Sequence, residues 1–217
     1  EALYSTPAGK NTIVIVLANH GDGMGSHRMV TKQVSFYEEM TNVPFIIAGP
    51  GIHPRQKPVE DLLTQPTIDL LPTLCELAGI PVPSSKPGIS LAPFLKGEKQ
   101  KRQHPYAASE WHSEYEVTVS PGRMIRSPRY KYTHYLEGNG EELYDMLKDK
   151  GERRNLAHDP KYSKILAEHR ALLDDYIRRT QDDYRSLKVE ADKRWRSHAP
   201  GYPNHEGPCA RDIINRK

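Results

Sequence analysis

No stretch of the 217 residues is apolar for the roughly 18–20 positions that a membrane-crossing helix requires. The longest apolar run, Thr12–Ala18, has the length of a strand. A charge excess of one sign is also missing. With 31 Lys and Arg against 28 Asp and Glu, the net charge is +3, which excludes nucleic-acid binding driven by bulk charge. The basic residues of Lys96–Arg102 read as a solvated loop. Cysteine is scarce. Cys75 and Cys209 lie far apart and fit no metal-binding spacing. Cys75 falls on a helical apolar stripe and reads as a buried thiol, while a disulfide between the two, and with it the redox compartment, stays open. The chain opens at Glu1 without the basic, apolar and small-residue pattern of a signal peptide. The expectation is a piece of a longer protein.

What is present is ordered. Thr12-Ile-Val-Ile-Val-Leu-Ala18 is a β-branched apolar run, the pattern of a strand buried on both faces. A Gly-rich loop follows from Gly21 to Gly25, then a short helical stretch near Val34–Met40 and a second buried strand over Val43–Ala48, closed by Gly49-Pro50-Gly51. Two such strands joined by a crossover predict a parallel sheet. A helix is expected over Ile68–Gly79, with Thr67 as its cap, Pro72 near the first turn and Gly79 as its stop. Leu71, Leu74, Cys75 and Ala78 share one face of it, which is expected to pack against the sheet. Pro81–Pro93 reads as a connection. From Tyr106 the texture changes. Met124–Leu136 alternates as a strand, turns at Gly138-Asn139-Gly140 and resumes at Glu142–Asp145, which predicts a hairpin in an antiparallel sheet. Asp159-Pro160 then caps a long amphipathic helix striped by Tyr162, Ile165, Leu166, Leu172, Leu173, Tyr176 and Ile177. The expected divisions are 1–105, an α/β core with the loop; 106–185, an antiparallel sheet with a long helix; and 186–217, an extended tail.

The segment that carries chemistry is the loop after the first strand. Ligands of α/β proteins gather at the carboxyl ends of strands. Here Asn19-His20-Gly21-Asp22-Gly23-Met24-Gly25-Ser26-His27 brings an amide oxygen, an imidazole and a carboxylate together on a glycine-rich turn. Oxygen and imidazole donors suit a divalent cation. A polar turn without a metal fits the bare pattern as well.

Three consecutive pieces are similar to the type I sulfatases: Thr12–His27, then Lys32 with Phe36-Tyr37-Glu38-Glu39, then Val43–Gly51. In that family the strand ends in Ser-Asp-His-Gly or Ser-Asp-Asn-Gly, whose Asp and His or Asn bind Ca²⁺. A downstream lysine contacts the sulfate, and a Tyr-Glu-Glu helix leads to a Val-Pro-Leu-Ile strand. The Asp69–Gly79 helix, Pro121–Tyr132, Glu142-Leu-Tyr-Asp145 and Asn155-Leu-Ala157 match in the same order, so the resemblance runs as far as Asp183. It implies an α/β fold: the C-terminal part of an alkaline-phosphatase-like sulfatase, a parallel-sheet remnant plus a small antiparallel sheet with a C-terminal helix. Asn19 and His20 fall on the metal positions, for Ca²⁺ or alternatively Mg²⁺, and Lys32 falls on the sulfate-binding position. A cation and an ammonium together stabilise charge developing on a sulfate ester. Asp22 and His27 face the same loop, and His112 is a further pocket candidate from the second subdomain; loop-stabilising roles for the first two and a surface position for His112 stand beside those readings.

Two departures qualify the carry-over. The family's Asp is Asn19 here, which keeps an oxygen but loses a charge. The nucleophile of the family is a formylglycine made from Cys or Ser in Cys/Ser-x-Pro/Ala-x-Arg, and no such motif occurs. Ser5-Thr-Pro-Ala-Gly9 ends in Gly where Arg is required. The expected catalytic nucleophile is therefore none in this chain, and the chain alone is expected to be inactive. The resemblance implies a hydrolase of sulfate esters or sulfamates on a sulfated small molecule or glycan, partnered by a missing N-terminal half, with no nucleic acid and no membrane span, periplasmic or secreted. The alternatives are a phosphonate or phosphate monoester hydrolase of the same superfamily and a non-catalytic sulfated-sugar-binding half.

Overall fold

The computed structural model describes residues 2–29, 35–59, 62–84, 87–100, 103–111, 121–136 and 140–187. Lys32, His112 and Cys209 lie outside them. The chain divides into two compact units, Glu1–His20 with Val43–Ala107, and Gly21–Asn42 with Ala108–Lys217.

In the first unit β1 (Val14–Leu17) pairs with β2 (Phe45–Ala48). The pairing is antiparallel, with Val14 opposite Ala48 and Leu17 opposite Phe45, which corrects the parallel arrangement expected from sequence. Phe45 enters the ladder at the end where β1 leaves it. Among the described residues of the excursion between them, the one α-helix is the four-residue α1 (Glu38–Thr41), too short to carry the chain back along the strand as a parallel crossover must. Gly49 closes β2 because a Cβ there would lie 2.7 Å from the Thr12 carbonyl oxygen. Neither strand is buried on both faces. Val16 and Ile46, directly opposite each other, are 49% and 58% exposed.

The helix α2 spans Pro66–Ala78. It starts earlier than Thr67 would cap it. Pro66 occupies its first turn, and the Asp69 carboxylate accepts the Gln65 N–H at 2.7 Å. Gly79 ends it at φ 69°, the left-handed turn that glycine adopts without penalty. Pro72 sits inside the helix. The buried face is not the expected apolar stripe. Asp69, Thr73 and Cys75 are buried, whereas Leu71, Leu74 and Ala78 are exposed. Backbone capture decides this orientation: Asp69 Oδ1 accepts the Ile89 N–H at 2.8 Å and faces His104 Nε2 at 2.7 Å, and Thr73 Oγ1 accepts the Leu91 N–H. A second short helix, α3 (Ala92–Leu95), interrupts what the sequence reads as a plain connection.

A four-stranded sheet runs in the order β3 (Ala107–Trp111), β4 (Gly122–Arg126), β5 (Tyr130–Tyr135) and β6 (Glu141–Asp145), all of it within the second unit except Ala107. Both β4–β5 and β5–β6 are antiparallel, as the hairpin reading requires. The stretch read as one strand over Met124–Leu136 is two, because Ser127-Pro128-Arg129 turns the chain. Ser127 N–H donates to Tyr130 O, and Ser127 Oγ accepts the Tyr130 N–H. Pro128 supplies no ladder donor there. Asp159 caps a 3-10 turn (Pro160–Tyr162) by accepting the Lys161 N–H, and α4 (Ser163–Thr180) follows. It buries Leu166 and Leu173 together with His169, a residue absent from the apolar stripe. No helix among the described residues is long and apolar enough to cross a membrane.

Candidate functional site

β1 ends at Leu17, and Asn19 and His20 follow it within the first unit, both exposed. An amide oxygen and an imidazole are a partial ligand set for a hard divalent cation, which takes six or more oxygens. The donors fit such an ion only as members of a larger shell.

Gly21–Asn42 belongs to the second unit. Gly21 donates its N–H to Met40 O at 2.9 Å, and a Cβ there would lie 1.8 Å from the Glu39 carbonyl oxygen, so glycine is required by close approach. The loop then tightens. Asp22 accepts the Met24 N–H at 3.1 Å, Ser26 donates to Gly23 O, and Gly25 N–H donates to Met29 O at 2.7 Å. Asp22 is thus a turn-forming carboxylate. Met24, His27 and Arg28 all adopt positive φ (44°, 49° and 61°). Each such non-glycine position costs on the order of 1–3 kcal/mol and persists where its surroundings over-determine it.

His27 is fixed from outside the loop. Its ring stacks on Tyr37 with centroids 3.6 Å apart and planes 1° from parallel. Its Nε2 lies 3.7 Å from Glu39 Oε2, a charge contact beyond hydrogen-bond length. Burial lowers the imidazole pKa below 6.5, against a raising influence from Glu39 and a further lowering one from Lys131.

Beneath this lies a cluster that the sequence did not reveal. Lys131, on β5, is 1% exposed. Its Nζ donates to Phe36 O at 2.8 Å, and lies 2.7 Å from Glu38 Oε1 and 2.8 Å from Glu152 Oε1. Glu152 Oε2 accepts the Glu38 N–H at 2.7 Å. Burial raises the Glu38 carboxyl, but the Lys131 ammonium outweighs it and the net shift is downward. For the more enclosed Glu152, burial wins over Lys131 and the net shift is upward. Nothing in the period-2 alternation of β5 marks Lys131 as buried. The Tyr37-Glu38-Glu39 run was legible, but not its partner.

Among the described residues, His27, Glu39 and Glu152 place ligand atoms within 4.8 Å of one another. Glu152 already meets a buried ammonium through one oxygen and a backbone N–H through the other. Held in this way by Lys131 and the Glu38 N–H, Glu152 reads as part of a structural joint.

Comparison with known proteins decides the family. The family described as N-sulphoglucosamine sulphohydrolase, C-terminal, matches residues 25–179. The chain belongs to the type I sulfatases. This sulfatase chain is 76% identical over all 217 of its residues to the Delta 4,5-hexuronate-2-O-sulfatase of Bacteroides thetaiotaomicron, of which it covers 45%. A solved 2-O GAG sulfatase superposes with a TM-score of 0.86 at 77% identity, over 98% of this chain and 46% of that one. A phosphonate monoester hydrolase of Silicibacter pomeroyi reaches a TM-score of 0.72 at 25% identity, over 88% of this chain and 41% of that one. The chain thus spans less than half the length of these relatives. The fold is the alkaline-phosphatase-like one carried by sulfatases.

Proposed function

We propose that this chain is the C-terminal portion of a sulfatase acting on sulfated glycans, with a 2-O-sulfated unsaturated hexuronate as its substrate. The observation that carries the reading is the 76% identity, over the whole chain, to a sulfatase of that named specificity. The phosphonate hydrolase alternative has a quarter of residues identical and is not favoured. In this reading Lys32 holds a sulfate oxygen, and Asn19 and His20 contribute to a Ca²⁺ shell, with Mg²⁺ as the alternative ion. The cation supplies Lewis-acid stabilisation of the sulfate when bound. The formylglycine nucleophile and the remaining metal carboxylates come from an N-terminal half. That half also covers the apolar surface that Val16, Ile46, Leu71 and Leu74 expose in the first unit. A purely sugar-binding role is the reading in which no turnover occurs. The proposal extends to a periplasmic or secreted location, checked by fractionating cells that express the full enzyme.

The test is sulfate release from a 2-O-sulfated unsaturated uronyl disaccharide, beside 6-O- and N-sulfated analogues, by the chain assembled with the N-terminal half. Preferential release from the 2-O ester is expected, and Lys32→Ala is expected to lower kcat/KM by roughly 10²–10³, as loss of an oxyanion donor does. Absence of release from every substrate overturns the enzyme reading. An unchanged kcat/KM in Lys32→Ala removes that residue's role.

A further inference from the structure

Gly21 opens the loop that follows His20, and it rests on the backbone of α1. Its N–H donates to Met40 O at 2.9 Å, and a Cβ on it would lie 1.8 Å from Glu39 O. The loop therefore starts wherever α1 stands. A helix of four residues has no stability of its own to set that place. The place is set at its entry, where two buried side chains hold both peptide groups of Tyr37. Lys131 Nζ donates to Phe36 O at 2.8 Å, and Glu152 Oε2 accepts the Glu38 N–H at 2.7 Å. Glu152 does so from a left-handed backbone, φ 49°, which costs a non-glycine residue free energy and persists where the surroundings over-determine it.

We propose that the Lys131–Glu152 joint positions the metal loop: by fixing the entry of α1 it fixes Gly21, and through the peptide bond to Gly21 it aims the backbone of His20. The proposal rests on the assignment of His20 to a Ca²⁺ shell made above. Groups behind a metal ligand set affinity by orienting it. An intact buried ion pair adds little net stability, whereas the hydrogen bonds of this one specify where a short helix stands. Lys131 and Glu152 are on this account positioning residues, acting through α1 and Gly21.

Loss of aim is separable from loss of stability. Lys131→Met fills similar space without holding Phe36 O, and Glu152→Ala removes the acceptor of the Glu38 N–H. Leu173→Ala, in α4 and 1% exposed in the native chain, removes apolar packing and leaves the joint intact. Calorimetric Ca²⁺ titration of the assembled, chelator-treated enzyme is expected to show affinity weakened about tenfold to a hundredfold in Lys131→Met and Glu152→Ala, as when a group behind a ligand is lost. In Leu173→Ala the affinity is expected to stay at the wild-type value while the urea midpoint falls. Should Lys131→Met not fold, Lys131→Met with Glu152→Gln takes its place, since it strands no charge at Glu152, and the same weakening is expected. Wild-type affinity in the joint variants, or equal weakening in Leu173→Ala, overturns the positioning role. Failure of the metal assignment has a separate signature. Unchanged affinity in His20→Ala removes His20 from the shell, and the joint is then decided by amide hydrogen exchange at Gly21, whose N–H is held by Met40 O. Exchange faster in Lys131→Met than in Leu173→Ala supports it, and exchange no faster overturns it.

Discussion

Lys131 Nζ stands 2.8 Å from Glu152 Oε1, and both side chains are only 1% exposed. The pair ties β5 to the residue following β6 and its turn, and through the Glu38 N–H it also holds the start of α1. A buried ion pair adds little net stability when intact, but losing one partner strands the other charge away from water. Lys131→Ala is therefore expected to destabilise the fold by about 3–5 kcal/mol, read as a fall in the urea midpoint with unchanged slope. Lys131→Met with Glu152→Gln is expected to recover much of that loss. A midpoint in Lys131→Ala equal to wild type means that water reaches the stranded carboxylate and the pair does not bear on stability.

Metal affinity is the second quantity that the sequence departure makes measurable. In the proposed shell Asn19 would give a cation one neutral oxygen, and ligand charge sets affinity in oxygen-rich sites. In the assembled enzyme, calorimetric titration of Ca²⁺ after chelator treatment is expected to show tighter binding in Asn19→Asp than in wild type. Weakening, or no change, would place Asn19 outside the metal shell. The chain by itself is expected to bind Ca²⁺ weakly and to release no sulfate.

Association of the isolated chain follows from its exposed apolar residues. Val16 and Ile46 form a cross-strand pair on one face of a two-stranded sheet, which is too small to be stable on its own in water. Sedimentation velocity is expected to show self-association, relieved by the charged substitution Ile46→Lys. The same substitution is expected to impair assembly with the N-terminal half. A monodisperse, cooperatively unfolding wild-type monomer would count against that partner.

Acid destabilisation is expected from the histidines. Burial lowers the pKa values of His27, His134 and His169 below 6.5. The unfolded chain then takes up protons first, so stability is full above pH 6.5, falls as pH drops below it and levels off beneath the folded-state values. For His169 burial is the larger cause, and it outweighs the Ile165 carbonyl, which faces Nδ1 at 2.8 Å and favours the charged form. The fall in denaturation midpoint between pH 8 and pH 5 is expected to be shallower in His169→Gln. An identical slope in the variant would clear His169 of the effect.

The loop after β1 and the order of motifs were legible because they are local. A β-branched run, a glycine that nothing larger replaces and an Asp-Pro cap each state their conformation within a few residues, while Gly138 and Asn139 of the expected hairpin turn lie outside the described residues. The face of α2 was misread for a reason that periodicity does not register. Asp69 and Thr73 are polar, yet they are buried because they capture the backbone of Ile89 and Leu91, while Leu71 and Leu74 remain exposed.

By itself, then, the sequence determined the family, the α/β class, the antiparallel hairpin and the long C-terminal helix, all of which follow from short-range pattern or from motif order. The direction in which β1 and β2 pair, the burial of Lys131 and the stacking of His27 on Tyr37 were decided by the tertiary structure. Glu152 meets Glu38 across 114 residues, and Lys131 meets Phe36 across 95. Contacts of that separation come from how packed elements bring distant backbone together, and no local preference encodes which charge will be found beneath which ring.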